Sequence, residues 1–185
     1  MIRAVGAISG TSMDAIDVAV LESDGLSGVR MLGGGAAPYP PDLRARLQAV
    51  IADPALAENG NLDALEAEVT DAFAGAIRAV LGMRGLDLAE VDLVGLHGQT
   101  VFHRPERRFT RQLGDGARLA RALGRPVVNR FRHADVAAGG QGAPLVPLYH
   151  AALAAGVEHP LVVLNLGGVA NITYLDGKTV LACDT

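Results

Sequence analysis

The sequence contains no tryptophan, a single cysteine among 185 residues, and only 4% aromatic side chains. Aliphatic residues and alanine must therefore build the core, and a hydrophobic fraction of 50% is large enough to argue against disorder. One cysteine cannot form an internal disulfide, which permits a cytoplasmic location. The sequence also lacks an apolar run approaching the roughly 18 residues of a membrane helix, and it lacks a basic flank followed by a signal core. We expect a cytoplasmic protein that does not associate with a membrane.

The net charge of −4 does not indicate a nucleic-acid-binding protein, so we expect no nucleic-acid partner. The charges are unevenly spread, because residues 53–92 are acidic and residues 104–132 are mostly basic. The basic stretch can face a phosphate or a partner, or it can form a solvated surface, and composition leaves both interpretations open. The length fits one large domain or two small ones.

The order of the predicted elements indicates an α/β domain with a mixed sheet. Residues 3–8 and 16–21 are predicted to be strands around an exposed first turn, and residues 28–37 add a third strand to an antiparallel meander. Later strands alternate with helices, and the last three strands resemble the start of a second meander. After the meander, the sequence predicts a helix opened by Pro40 and Pro41 and a second helix over 61–81, capped by Asn61 and ended by Gly82. A strand over 91–96, a helix over 117–123 and a buried strand over 126–128 follow. A loop over 137–147 then leads into a helix through 155, and strands are predicted over 161–166, 170–175 and 179–183.

The turn SGTSMDAID has the composition of a phosphate-binding hairpin. The small residues Gly10, Thr11 and Ser12 let backbone N–H groups approach a phosphate, and the hydroxyls add donors. The carboxylates of Asp14 and Asp17 are near in sequence and can hold Mg²⁺ through water. The segment is not a Walker A loop, because the lysine is missing. An ordinary polar hairpin is the alternative that the spacing leaves open.

The segment GLHGQTVFHRP places His97 and Gln99 directly after a predicted buried strand, where α/β sheets present ligand groups. His97 can donate to a sugar hydroxyl and Gln99 can donate and accept, while Gly98 between them permits close backbone approach. A histidine with a purely structural role is the alternative. His103 follows in an arginine-rich run, and we interpret it as a surface residue.

The segment RFRHADVAAGGQGAPLVP combines Arg130, Arg132 and Asp135 with a glycine-rich loop at residues 139–142. So many glycines are expected where something approaches the backbone, and apolar residues flank the loop on both sides. We therefore favour a binding loop over a flexible connector.

The segment LNLGGVANIT and the final ACDT carry the last candidates. Gly167 and Gly168 follow Asn165 at the end of a strand, and they can form an ordinary hairpin or a second phosphate-binding turn. Asp184 ends the third strand of this group, where a carboxylate beside a phosphate turn is well placed to act as a general base. Cys183 is interpreted as a small core residue, since no basic partner is apparent.

Taken in this order, the segments SGTSMDAIDVAV, GLHGQTVFHRP, FRHADVAAGGQGAPLVP, LNLGGVANIT and ACDT resemble those of the anhydro-N-acetylmuramic acid kinases, a family of the actin/hexokinase/Hsp70 ATPase superfamily. The resemblance runs from Ala7 to Thr185, and the string DVAAGGQGAPLVP is highly specific. It implies an α/β fold of the actin-like ATPase (ribonuclease H-like) type with a mixed sheet and an N-terminal β-meander. It also implies a lobe with sugar-binding loops at residues 1–157 and the first strands of a second lobe at residues 158–185.

The resemblance implies an enzyme of peptidoglycan recycling that uses ATP and Mg²⁺ to convert 1,6-anhydro-N-acetylmuramic acid and water into N-acetylmuramic acid 6-phosphate. Asp184 falls on the family's catalytic aspartate, and Asp14 is the candidate to hold Mg²⁺ through water. The partner is then a small amino sugar, and the family tends to be dimeric, which implies a homodimer for the full-length protein. The implied nucleotide contacts are Gly10, Thr11, Ser12, Met13, Asp14, Ala15, Ile16, Asp17, Asn165, Gly167 and Gly168. The implied sugar contacts are His97, Gln99, Arg132, Asp135, Gly140 and Gln141.

Some positions depart from the family's usual pattern. Met13 and Ala15 stand where leucine and glycine are usual, so Ala15 is expected to have a negative φ. Arg130 stands where an aspartate is usual, which reverses the charge next to the loop. Family members continue past the position of Thr185 into a Gly-Pro-Gly-Asn turn and a second lobe, so we expect an N-terminal half with little or no activity alone. The alternatives are another sugar kinase of the superfamily and a non-catalytic sugar-binding remnant.

Overall fold

The computed structural model describes residues 1–26, 28–166 and 170–184, and in this part of the chain it contains two sheets. The strands are β1 (Ile2–Ser9), β2 (Ala15–Ser23), β3 (Val29–Pro38), β4 (Leu93–Arg104), β5 (Phe109–Leu113), β6 (Val127–Asn129), β7 (Leu161–Asn165), β8 (Asn171–Asp176) and β9 (Thr179–Asp184). The helices are α1 (Pro41–Ala52), α2 (Pro54–Asn59), α3 (Asp63–Met83), α4 (Gly116–Leu123), α5 (His133–Ala138) and α6 (Pro147–Leu153). Short 3₁₀ turns cover Leu88–Glu90 and Pro105–Arg107.

The larger sheet has the order β3-β2-β1-β4-β5, and β6 also pairs with β4. β1, β2 and β3 form the predicted antiparallel meander, while β4 is parallel to β1 and β6 and antiparallel to β5. β7, β8 and β9 form a separate, smaller antiparallel sheet. The predicted mixed α/β fold with an N-terminal meander is therefore confirmed.

The core lies between the larger sheet and helices α1 and α3. Residues three and four apart share one face of a helix, and in α3 the side chains of Val69, Phe73, Ile77 and Val80 form such a stripe with no exposed surface. Burial of each contributes about 1.5–3 kcal/mol. The helix begins at Asp63, two residues later than predicted, and Leu62 takes the N-cap position, so the predicted cap by Asn61 is wrong. Asn61 Oδ1 still accepts a hydrogen bond from the Asp63 N–H at 3.0 Å, one residue before the N-cap.

α3 ends two residues beyond its predicted end at residue 81. The helix passes through Gly82 and ends at Met83. Gly85, with a φ of 65°, takes the left-handed conformation that turns the chain away from the helix.

β4 differs most from its prediction, because it continues past residue 96 to Arg104. The segment HGQT therefore lies inside a strand and not beyond the end of one. Gly98 permits this continuation: its φ is 77°, and a side chain there would collide with the Leu113 carbonyl of β5. On this side of β4 the neighbour changes at Gly98, from β6 before it to β5 after it.

Two side chains predicted to be buried are exposed. Val128 of β6 is 46% exposed, because this short strand lies at the margin of the larger sheet. Cys183 is exposed on the smaller sheet, in a cross-strand row with Leu164 and Ile172. Its face of the sheet carries the exposed side chains of Val162, Leu164 and Leu181.

Among the described residues, no helix has the length and apolar character needed to cross a membrane.

Candidate active site

The first turn connects β1 to β2 and presents backbone N–H groups to solvent. A hydrogen bond from the Met13 N–H to the Gly10 carbonyl, at 3.1 Å, closes the turn, and Gly10, Thr11 and Ser12 are exposed. Met13 has a left-handed φ of 53° and buries its side chain in the core, which anchors the turn. No described residue accepts a hydrogen bond from the Thr11 or Ser12 backbone. An exposed turn with free N–H groups and hydroxyls has the chemistry of a phosphate site.

The remaining residues of this segment divide between core and surface. The side chain of Ile16 is buried, so this residue can offer a ligand only its backbone. Ala15 has the expected negative φ, since it is absent from the left-handed residues of the described chain. Asp17 is exposed on β2. Asp14 is exposed as well, and its carboxylate forms an ion pair with Arg44 Nη2 at 2.7 Å.

Asp14 is also the residue that the sequence suggests for Mg²⁺. In the part of the chain that the structure describes, no group of three or more His, Cys, Asp or Glu side chains could hold a metal ion. Mg²⁺ is usually held by one or two carboxylates together with phosphates and water, and seldom by an all-protein cage. A single exposed carboxylate beside the first turn fits that donor set, in competition with the ion pair to Arg44.

Gln99 lies beneath the first turn with 0% of its surface exposed. Its Oε1 accepts a hydrogen bond from Ser9 Oγ at 2.6 Å, and its Nε2 donates to the carbonyls of Gly10 at 3.3 Å and Thr100 at 3.1 Å. Tyr39 is buried beside Ser9, and burial raises the pKa of its hydroxyl to about 12, so this group stays protonated. The amide of Gln99 thus braces the first turn and does not reach solvent, where a sugar would bind.

His97, which lies two residues before Gln99, forms a half-buried pair with Arg132. His97 Nδ1 donates to the Gly98 carbonyl at 2.9 Å, which leaves Nε2 to accept from Arg132 Nε at 3.0 Å. Burial lowers the pKa of His97, and the Arg132 charge lowers it further, so the ring is neutral. Burial also lowers the pKa of Arg132, while the negative charge of Asp184 opposes that effect.

The loop at residues 139–142, here called the glycine loop, packs on α5. Arg132 Nη1 donates to the Gly142 carbonyl at 2.5 Å, and the Gly142 N–H donates to Asp135 Oδ2 at 2.7 Å. The Gly140 N–H donates to the Asp135 carbonyl at 2.8 Å. A side chain at Gly140 would collide with the Asp135 carboxylate, and Gly142 has a left-handed φ of 64°. The protein's own packing therefore requires these glycines, whatever ligand approaches them.

Asp184 lies at the end of β9, in a cross-strand row with Asn165 and Asn171. Side chains two residues apart share a face of a strand, so the cross-strand row next to Asp184 on this face contains Thr173. Thr173 is buried, and its Oγ1 lies 2.9 Å from His150 Nδ1 of α6. Asp184 itself is exposed. The predicted phosphate-turn residues Gly167 and Gly168 lie outside the described residues.

Most of the predicted site residues fall into two groups that β4 connects. Gln99 braces the first turn, and His97 holds Arg132 against the glycine loop. The negative charge of Asp184 acts to raise the pKa values of Arg132 and His103. This carboxylate therefore belongs to the second group.

His103 is the residue that the sequence interpretation missed. Its position in an arginine-rich run predicts a surface residue, yet its ring is half-buried and its Nδ1 lies 2.9 Å from Thr110 Oγ1. A strand that continues through HGQT would have carried His103 to the same site as His97, and the prediction that the strand stops at residue 96 concealed this signal.

The family model described as anhydro-N-acetylmuramic acid kinase matches residues 2–185. Curated relatives with that name include one from Rhizorhabdus wittichii, 50% identical over 176 residues that cover 93% of this chain and 48% of that protein. Others come from Paramagnetospirillum magneticum, 49% identical with 98% and 50% coverage, and from Bradyrhizobium diazoefficiens, 48% identical with 100% and 53% coverage. Among solved structures, a reductive activator for a corrinoid, iron-sulfur protein aligns at 14% identity with a TM-score of 0.49, over 98% of this chain and 31% of that one. The chain spans about half the length of the curated relatives it matches.

Proposed function

The chain belongs to the anhydro-N-acetylmuramic acid kinase family, and from this premise we propose that it takes part in converting 1,6-anhydro-N-acetylmuramic acid, water and ATP into N-acetylmuramic acid 6-phosphate and ADP. The observation that carries the proposal is the role of β4. One strand braces an exposed phosphate-type turn through Gln99 and, two residues earlier, holds Arg132 and the glycine loop through His97.

Asp184 is proposed as the general base. Its exposed carboxylate takes a proton from water while the water oxygen attacks the anomeric carbon of the anhydro sugar. The bond from that carbon to the bridging oxygen breaks, and the bridging oxygen becomes the sugar's O6. This oxygen then attacks the γ-phosphorus of ATP, and the bond to the β,γ-bridging oxygen breaks to release ADP. Orientation and charge stabilisation by the protein supply most of the catalysis in such a transfer.

The first turn is proposed to hold the ATP phosphates through the free N–H groups and hydroxyls of Thr11 and Ser12. Mg²⁺, when bound, neutralises charge on the transferred phosphate, and Asp14 is the residue that would reach it through water. Asn165, with Gly167 and Gly168, is proposed as a second phosphate contact.

The glycine loop is proposed to hold the sugar. Gln141 is exposed and offers both a donor and an acceptor, and Arg132, Asp135 and the Gly140 backbone complete the polar surface. Both ring nitrogens of His97 already have protein partners, and Gln99 is fully buried. We therefore assign His97 and Gln99 as positioning residues for the loop and the turn.

The biological setting rests on family membership alone. We propose that residues 1–157 form a lobe with the sugar-binding loops and that residues 158–185 begin a second lobe. A cytoplasmic role in peptidoglycan recycling and a homodimeric full-length protein belong to the same proposal. Because the chain spans half the length of its relatives, we expect it to turn over slowly or not at all without the remainder.

The test is an assay of sugar 6-phosphate formation from ATP, Mg²⁺ and the anhydro sugar. We would compare the chain alone with the chain co-expressed with the unmatched half of the Rhizorhabdus wittichii relative. We expect product from the combined protein, loss of product with Asp184→Asn, and normal product with the matched control Asp176→Asn, an exposed carboxylate of the same small sheet.

Three other outcomes of this assay would contradict part of the proposed function. Product from a different amino sugar in place of the anhydro sugar would indicate another sugar kinase. Sugar binding without product in either preparation would overturn the kinase proposal in favour of a binding protein. Full activity of Asp184→Asn would remove the assignment of the base.

A further inference from the structure

The first turn has no lysine to offer a phosphate. Lys178 is the only lysine of the 185 residues, and it lies between β8 and β9 of the smaller sheet. The segment of the first turn also carries the carboxylates of Asp14 and Asp17, whose negative charge opposes that of a phosphate. Arginine and lysine are the side chains that usually neutralise phosphate groups. A cation at this turn is therefore expected to be an arginine from another element.

Arg44 of α1 is the arginine that hydrogen-bonds the first turn within the described chain. Its Nη2 donates to Asp14 Oδ1 at 2.7 Å and to the Ser12 carbonyl at 3.3 Å. These two bonds use both hydrogens of Nη2, whereas Nη1 carries two more and has no hydrogen bond to a described residue. Nε is buried, and 40% of the side chain is exposed. The end of the guanidinium therefore faces solvent beside the turn with unused donors.

The position of Arg44 is fixed by α1. Its backbone N–H donates to the Pro40 carbonyl at 3.0 Å in the first turn of the helix, and the neighbouring Leu43 and Leu47 are buried in the core. Arg46 lies on the same helix, but its Nη1 donates to Glu68 of α3 at 2.9 Å. The two arginines of α1 therefore have different partners, and Arg44 is the one that serves the first turn.

The exposure of the Arg44–Asp14 ion pair makes the pair easy to exchange. The Asp14 side chain is 69% exposed, and pairs this exposed contribute little to stability, because water solvates both charges. A divalent cation beside Asp14 would repel the guanidinium, so the two cations compete for one carboxylate. A phosphate would offer Arg44 charge-assisted hydrogen bonds in return.

We propose that Arg44 is a further phosphate-binding residue of the first turn, held by Asp14 until a divalent cation occupies that carboxylate and then released to the phosphates. The inference rests on the proposed function, in which the first turn holds the ATP phosphates and Asp14 reaches Mg²⁺. It supplies the positive charge that the turn lacks. It also couples the two ligands, because metal binding frees the guanidinium and each ligand then favours the other by the same free energy.

The first test measures metal binding without a nucleotide. Mn²⁺ is added to the 185-residue chain, and the paramagnetic broadening of the Asp14 amide signal is followed by NMR. Arg44→Gln removes the competing charge, so we expect Mn²⁺ to bind about twofold to fivefold more tightly, the size expected for an exposed ion pair. Arg44→Lys keeps the charge and should lie closer to wild type. Arg46→Gln is the matched control, because Arg46 is an exposed arginine of the same helix that pairs with Glu68, and it should leave Mn²⁺ binding unchanged.

The second test measures nucleotide binding by the combined protein of the kinase assay, with ATP and Mg²⁺ titrated by calorimetry. We expect Arg44→Gln to weaken binding about tenfold or more, since a hydrogen bond to a charged group is lost. Arg44→Lys should recover part of the loss, and Arg46→Gln should show none. The two tests give Arg44→Gln effects of opposite sign, tighter metal binding and weaker nucleotide binding, whereas a misfolded variant would weaken both.

Three results would overturn the proposal. One is unchanged Mn²⁺ binding in Arg44→Gln, and another is unchanged ATP affinity in that variant when the wild-type combined protein binds ATP. The third needs no variant, and it is a crystal structure of the combined protein with Mg²⁺ and a non-hydrolysable ATP analogue in which Arg44 stays on Asp14 and touches no phosphate. If the wild-type combined protein binds no ATP, the nucleotide role of the first turn fails and the phosphate role of Arg44 fails with it. The Mn²⁺ result still decides the competition for Asp14 in that case.

Discussion

Replacing Gln99 with leucine should destabilise the fold itself, since this side chain has no exposed surface and joins β4 to the first turn. Leucine has a similar volume and removes the amide. A residue that only contacted sugar would give the opposite pattern, with normal stability and lost sugar binding. The substitution therefore separates the bracing role seen in the structure from the sugar contact suggested by the sequence.

The magnitude follows from the partners that lose a hydrogen bond. The Gly10 carbonyl keeps its bond from the Met13 N–H at 3.1 Å, but the Ser9 hydroxyl and the Thr100 carbonyl each lose a partner. Each loss at a buried group costs about 1–3 kcal/mol. Leucine offsets about 1–2 kcal/mol, because it buries an apolar side chain in place of an amide. The expected net loss in the free energy of unfolding is therefore about 0–5 kcal/mol, with a midpoint of about 2–3 kcal/mol.

Gln99→Glu adds a pH signature. A buried carboxylate facing the Gly10 and Thr100 carbonyls has a raised pKa in the folded state. Its protonated form can donate as the amide does, so this variant should gain stability relative to wild type as the pH falls and lose it as the pH rises through the folded-state pKa. A constant difference between the two proteins across pH 4–8, a range chosen around the ordinary carboxyl value of about 4.3, would contradict the buried placement.

Urea denaturation followed by far-ultraviolet circular dichroism suits a chain without tryptophan. Gln141→Leu is the matched control, because Gln141 is exposed and should shift the free energy of unfolding by less than about 0.5 kcal/mol. If Gln99→Leu shifts it no more than the control does, the bracing role is refuted.

Three further predictions use the same denaturation assay. Arg130 has a left-handed φ of 61°, so Arg130→Gly should stabilise the chain by about 0.5–1 kcal/mol, and a loss would show that the arginine side chain contributes more than its backbone strain costs. Asp115 Oδ1 accepts two backbone N–H groups at the start of α4, so Asp115→Ala should cost about 1 kcal/mol, and no change would remove the cap assignment. Burial holds the pKa values of His97, His103 and His133 below 6.5 in the folded state. The unfolded chain therefore binds more protons below that pH, and stability should fall as the pH drops from 6.5, whereas a flat profile down to pH 5.5 would contradict the neutral rings.

Much of the fold could be predicted because its signals are local. The meander strands and the apolar stripe of α3 repeat hydrophobic residues at the period of their element, and burial of that face then fixes the element's position. α5 carries no such signal, since a helix of six residues completes fewer than two turns. The extent of β4 depends on pairing with β5, a short polar strand that periodicity does not distinguish from a loop.

The candidate site was predicted at the level of segments more than of individual side chains. The sequence indicates that Gln99 and the loop glycines matter, but polarity alone suggests that a glutamine meets a ligand. Only the folded chain shows that Ser9 and Gly10 occupy its amide. The run of glycines predicts an approaching ligand, whereas the Asp135 carboxylate already fills the space that a side chain at Gly140 would need.

The two sheets carry different parts of the proposed chemistry, so a ligand of the proposed site would contact both sheets. The first turn belongs to the larger sheet, whereas Asp184 belongs to the smaller one, which contacts α6 through β8 and β9. The distance between the Asp184 carboxylate and the first turn can then change by movement of one sheet against the other, because no described strand pairs across the two sheets. A ligand that touches both sheets favours the closer arrangement, and thermodynamic linkage requires the closer arrangement to favour that ligand by the same free energy. Substitutions in the α6 segment, which carries neither group, would then alter apparent affinity through the energy of closing.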